Sequence, residues 1–117
     1  MALSPETTGD ATIVRATGEL DVSTVPDLRR CLYDVVAEGA RHIVLDLSEV
    51  TFIDSTTLGV LVSVRNRLQP ARGRLDLVAQ HPAVLTVLRM TALDRVFTVH
   101  SSLAEVTPRS PTEPSAP

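Results

Sequence analysis

The segment Arg41–Leu68, RHIVLDLSEVTFIDSTTLGVLVSVRNRL, constrains the fold more than any other part of this chain. Ile43-Val44-Leu45-Asp46-Leu47 is a short, β-branched, apolar run suited to a buried strand. A turn is expected at Ser48-Glu49, then a second apolar piece, Val50-Thr51-Phe52-Ile53. Asp54-Ser55-Thr56-Thr57 interrupts the run, and apolar residues then return at helical spacing as Leu58, Leu61, Val62, Val64 and Leu68. A polar cluster between a buried strand and a buried helix is where an α/β sheet presents its working surface.

A length of 117 residues suits one compact domain. With two Phe, one Tyr and no Trp, the core has to be aliphatic. A net charge of -3 and a pI near 5.5 lack the basic face that nucleic-acid binding requires. No apolar run approaches the roughly 20 residues that span a bilayer, and the N-terminus lacks a signal-peptide pattern. The single cysteine, Cys31, fits a reducing cytoplasm and reads as a small core residue of a helix. All 11 basic residues are arginine, so there is no P-loop lysine, Schiff-base lysine or Ser-Lys dyad. No cofactor motif is evident.

Residues 1–10 are polar and without periodicity and are expected to form a flexible N-terminus. Ala11–Ala16 is a strand candidate, and Gly18 bends it into a second extended piece ending at Asp21. Ser23 or Thr24 is a candidate N-cap for a helix over 25–38, with Pro26 in its first turn and Gly39 as C-cap. A second helix should run from Thr56 to about Leu68, ending at the breaker Gln69–Gly73. Arg74–Ala79 reads as a strand, and His81-Pro82 opens a third helix with Val84, Leu85, Leu88 and Met90–Leu93 inward. Val96–Val99 is a last strand, and 101–106 supplies one or two helical turns. The proline-rich residues 107–117 are expected to be disordered. The fold class is therefore α/β: a small mixed β-sheet of about five strands with helices. The domain spans 11–106, and its opening strand is expected at an antiparallel edge.

Ser55 falls at or next to the N-cap of the second helix. One reading is structural: Ser55 caps the helix, a contribution of about 1 kcal/mol, and Asp54 complements the helix dipole. The other is regulatory. A helix N-terminus tolerates a phosphate, and a phosphorylated Ser55 would bring about -1.5 to -2 charges to a surface that Asp54 already makes acidic. A nucleophilic role is poorly supported, because His42, His81 and His100 form no recognisable triad motif. Asp46, Glu49 and Asp54 lack the His or Cys companions of a metal site, so no metal is expected.

Together Gly18-Glu19-Leu20-Asp21, the core IVLDLSEVTFIDSTTLGVL and the later RLDLVAQHPAVLTVLRMTALDRVFTVHSSLAEV resemble the bacterial anti-sigma factor antagonists, single STAS domains, over roughly residues 11–106. The resemblance implies a cytoplasmic phosphoprotein, not an enzyme, that acts by partner switching in a stress response. The unphosphorylated form would bind an anti-sigma factor that is also a GHKL-type serine kinase and so free a sigma factor. Phosphorylation at Ser55 would inactivate it, and a PP2C-type phosphatase would restore it. Asp21, Asp54, Ser55, Thr56 and Thr57 would form the partner surface, without nucleic acid or membrane. This chain departs from the family pattern at Thr57, where glycine is usual. That leaves Thr56 or Thr57 as alternative acceptors, and leaves open a constitutive STAS scaffold or adaptor subunit that phosphorylation does not regulate.

Overall fold

A computed structural model describes residues 2–106. In chain order its elements are β1 (Ala2–Thr8), β2 (Ala11–Leu20), α1 (Val25–Ala37), β3 (His42–Ile53), α2 (Ser55–Leu68), β4 (Arg74–Val78), α3 (Pro82–Met90), β5 (Thr98–His100) and α4 (Leu103–Val106). The strands form one sheet in the order β1-β2-β3-β4-β5. Only β1 runs antiparallel, pairing with β2, while β2, β3, β4 and β5 are mutually parallel. The expected α/β class and mixed sheet are what is found.

β4 and the first half of β3 are buried on both faces, whereas the later halves of β2 and β3 expose Arg15, Thr17, Glu19, Glu49, Thr51 and Phe52. On one face Val14, Ala16, Ile43, Leu45, Leu47, Leu75 and Leu77 meet Leu28 and Leu32 of α1, Leu61 and Val64 of α2, and Val84 and Leu88 of α3. On the other, Ile13, Val44 and Val78 are covered by Leu103 and Val106 of α4. Each Val, Leu or Ile of this core is worth roughly 1.5–3 kcal/mol when fully buried, which is how a chain with three aromatic residues holds a core.

Several expectations are corrected. Residues 1–10 were expected to carry no element, yet Ala2–Thr8 forms β1, and Leu3 packs against the core. The strand is exposed almost throughout, so it shows no apolar alternation. Main-chain pairing, not side-chain patterning, forms it, and Pro5 is tolerated because this is an edge strand. The antiparallel edge is therefore β1, and β2 is an interior strand parallel to β3. No turn breaks β3 at Ser48-Glu49. The strand continues, and irregularities of pairing with β2 fall at Arg15/Thr17 and Gly18/Glu19. Gly18, with φ +95, supplies the left-handed conformation needed there. Met90 is 81% exposed rather than inward, because α3 ends at that residue. The Pro-rich segment 107–117 lies outside the described residues.

Candidate functional site

Leu20 and Ile53 are the last paired residues of β2 and β3. The next residues, Asp21 and Asp54, therefore emerge side by side at the carboxyl end of two adjacent parallel strands, the usual place for a site in an open α/β sheet. Asp54, extended at φ -124 and ψ -176, is the N-cap of α2. Its Oδ1 accepts hydrogen bonds from the amides of Thr56 (3.0 Å) and Thr57 (3.2 Å) and from the Thr56 hydroxyl. The Thr56 hydroxyl bond is the largest of the influences that hold the Asp54 carboxyl below the ordinary carboxylate range, and partial desolvation opposes it.

The cap is thus Asp54 and not Ser55, which becomes the first helical residue. Ser55 is exposed, and its hydroxyl enters none of the side-chain hydrogen bonds found among the described residues. Two of the helix amides expected to receive a phosphate are already bonded by Asp54. Thr56 is exposed, with its hydroxyl committed to Asp54. Thr57 is 0% exposed and donates from Oγ1 to the carbonyl of Leu20 at 3.0 Å. Its bulk points inward, away from the surface on which Ser55 lies. Burial therefore removes Thr57 both from the expected partner-facing set and from the candidate acceptors.

The Asp21 turn repeats this chemistry. Asp21 Oδ1 accepts from the amides of Ser23 (3.0 Å) and Thr24 (3.2 Å) and from the Ser23 hydroxyl (2.7 Å). The Ser23 hydroxyl, then its amide, hold the Asp21 carboxyl below its ordinary range. Thr24 occupies the N-cap position of α1 without a side-chain cap of its own. Its hydroxyl instead donates to the Glu19 carbonyl at 3.0 Å. Two exposed apolar side chains sit in these segments, Val22 (69%) between the turn residues and Phe52 (45%) near the end of β3. Periodicity could not single them out. The signal was present in the repeated pattern Asp-x-(Ser/Thr)-Thr at Asp21-Val22-Ser23-Thr24 and Asp54-Ser55-Thr56-Thr57.

The other titratable groups serve the scaffold. His81 caps α3, its Nδ1 accepting from the Ala83 amide at 3.1 Å. His42 and His100 approach Asp76 through their Nε2 atoms at 3.3 and 3.4 Å. None of the three histidines is hydrogen-bonded to Ser55 among the described residues. Cys31 is half-buried in α1, where burial and then the Asp34 and Glu38 charges push its thiol up, which disfavours the reactive thiolate. Among the described residues no helix is long and apolar enough to cross a membrane.

Comparison with known proteins agrees with this geometry. The STAS domain family matches residues 2–106. An anti-sigma-B factor antagonist of Staphylococcus aureus is 31% identical over 87 residues, 74% of this chain and 81% of that protein. The crystal structure of an anti-sigma factor antagonist from Mycobacterium paratuberculosis superposes with a TM-score of 0.83 at 30% identity, covering 89% of this chain and 88% of that one. SpoIIAA of Bacillus in its phosphorylated form shares the fold, with a TM-score of 0.69 at 24% identity over 89% of this chain and 95% of that one. The chain belongs to the STAS-domain family of anti-sigma factor antagonists.

Proposed function

We propose that this protein is a cytoplasmic, phosphorylation-controlled antagonist of an anti-sigma factor, with Ser55 as its switch. In its unphosphorylated form it captures a GHKL-type anti-sigma factor that is also a serine kinase, and a sigma factor is released. The kinase transfers a phosphoryl group from ATP to Ser55 and the complex dissociates. A PP2C-type phosphatase resets the cycle.

The observation that carries this reading is an exposed Ser55, whose hydroxyl enters no side-chain hydrogen bond among the described residues, beside an Asp54 whose carboxylate is held by the helix amides. Phosphorylation there adds about -1.5 to -2 charges to the outer surface without displacing a buried bond, so it changes recognition and leaves the fold in place. The neighbouring exposed Val22 and Phe52 give a partner apolar contact area on the same end of the sheet. The existence of a phosphorylated form of SpoIIAA, which shares the fold, supports this reading.

The test is intact-mass spectrometry of the protein incubated with its cognate kinase and ATP. One added phosphate, about 80 Da by the mass of the group, is expected on the wild type and none on Ser55→Ala. Ser55→Asp should fail to capture the kinase in a pull-down. Undiminished labelling of Ser55→Ala would remove Ser55 from the role, and undiminished capture by Ser55→Asp would favour a scaffold that phosphorylation does not control.

A further inference from the structure

We propose that Thr57 is the positioning residue of the docking face: its buried hydroxyl fastens the end of β2, and with it the Asp21 turn, to the turn that carries Ser55. This rests on the reading of Ser55 as the switch.

The bond from Thr57 Oγ1 to the Leu20 carbonyl is buried and joins residues 37 apart in sequence. Leu20 immediately precedes Asp21, and Thr57 lies two residues after Ser55. Among the described residues it is the one side-chain hydrogen bond that runs from the Asp54–Thr57 turn to the end of β2. Otherwise Asp21 binds Ser23 and Thr24, Thr24 bonds back to Glu19 of its own strand, and Asp54 binds Thr56 and Thr57. The β2–β3 pairing that ends at Leu20 and Ile53 sets the two strand ends beside each other, and Thr57 Oγ1 adds, just beyond it, a side-chain tie from the Ser55 turn to the carbonyl that precedes Asp21. The hydroxyl has one proton to give, and the Leu20 carbonyl at 3.0 Å competes for it against Asp54 Oδ1 at 3.4 Å. The Leu20 bond is the shorter, and a buried carbonyl left without a donor is the costlier loss.

The substitutions that isolate the hydroxyl are Thr57→Val, which keeps shape and removes the donor, and Thr57→Ser, which keeps the donor. Amide hydrogen exchange on the full chain needs no partner. Exchange of Asp21, Val22, Ser23 and Thr24 should quicken on the order of five- to tenfold in Thr57→Val and stay near wild type in Thr57→Ser, as loss of one buried hydrogen bond implies. Steady-state phosphorylation by the cognate kinase should show a raised KM with kcat little changed in Thr57→Val, and rescue by Thr57→Ser. A merely structural defect would also speed exchange in the helices and strands of the core, which is not expected.

Unchanged exchange at Asp21–Thr24 in Thr57→Val overturns the coupling. Quickened exchange with unaltered KM overturns its part in docking. If wild-type Ser55 takes no phosphate, the docking role falls with the reading it rests on. The exchange result, obtained without any kinase, then identifies that reading rather than the link between the turns as the point of failure.

Discussion

Asp21 and Asp54 are equivalent residues of two neighbouring strands: each follows the last paired position, and each Oδ1 stands 3.0 Å from the amide two residues on and 3.2 Å from the amide three residues on. Both carboxylates are therefore occupied in shaping the chain that leads into a helix. Each turn shows to solvent the residue after the aspartate, Val22 in one and Ser55 in the other, followed by an exposed residue, Ser23 or Thr56, whose hydroxyl is bonded to the aspartate. An aspartate in this position shapes the turn and so decides where its neighbour points.

It follows that Asp54→Ala should cost about 1 kcal/mol, the usual loss of a helix N-cap, whereas Asp54→Asn should retain most of the stability. Urea unfolding of the two variants separates them. Equal losses would show that charge at the helix terminus, rather than the hydrogen-bonding geometry, is what Asp54 provides.

Ser55→Ala should leave stability within about 0.5 kcal/mol of wild type, since Ser55 is exposed and its hydroxyl makes no side-chain hydrogen bond among the described residues. A thermal melt checks this. A large drop would return Ser55 to a capping role and weaken the case for a replaceable, switchable side chain.

The strand–helix–strand order was legible because β3, α2 and β4 carry their burial as apolar runs, in Ile43–Leu47, Leu58–Leu68 and Leu75–Val78. β1 was not, because an edge strand can be held by main-chain pairing, and only Leu3 in it contributes to the core. Ser55 and Asp54 were legible as a cluster at the strand end. Which of them capped the helix was not, because serine and aspartate are both strong N-caps and the choice turns on a one-residue difference in where the helix begins. The inward turn of Thr57 depends on the Leu20 carbonyl, a contact across 37 residues that no local pattern encodes.

Gly59 lies one helical turn after Ser55, is exposed, and would meet nothing within 4 Å if it carried a Cβ. Gly59→Ala should therefore stabilise the protein by about 0.5–1 kcal/mol through helix propensity. Positions four apart share a helix face, so the added methyl also stands on the Ser55 side of α2. Raised stability together with weakened capture of the proposed kinase partner is the expected pair of results. Unaltered capture would mean that the partner does not reach down this face.

Deleting Ala2–Thr8 removes β1, leaves the edge of β2 unpaired and exposes the core beneath Leu3. The shortened protein should melt at a lower temperature and aggregate more readily, because an uncovered interior strand is a template for intermolecular pairing. Light scattering during a thermal ramp measures both. A shortened chain matching wild type in both would return these residues to the status of a dispensable tail.

Asp76 gives the protein an acid-sensitive point outside the Asp21 and Asp54 turns. Its side chain is 2% exposed on the sheet face covered by α4, and its Oδ2 receives Arg74 at 2.9 Å and approaches His42 and His100 at 3.3 and 3.4 Å. Burial alone would raise its carboxyl, but the hydrogen bond with His42 and the charge and hydrogen bond of Arg74 outweigh it, so the net shift is downward from 3.8. A carboxyl whose folded value lies below its unfolded one stabilises the protein at pH above the unfolded value. That stabilisation is lost as pH falls through the unfolded value and on to the folded one. Wild-type stability should therefore decline from about pH 5 downward more steeply than that of Asp76→Asn, which has no proton to take up at this site. At neutral pH Asp76→Asn should be the weaker protein by roughly 1–3 kcal/mol, because a buried acceptor of several bonds has been replaced by a neutral amide. Urea midpoints measured from pH 7 to pH 3 give both quantities, and parallel curves for the two proteins would assign the acid limb to other carboxylates.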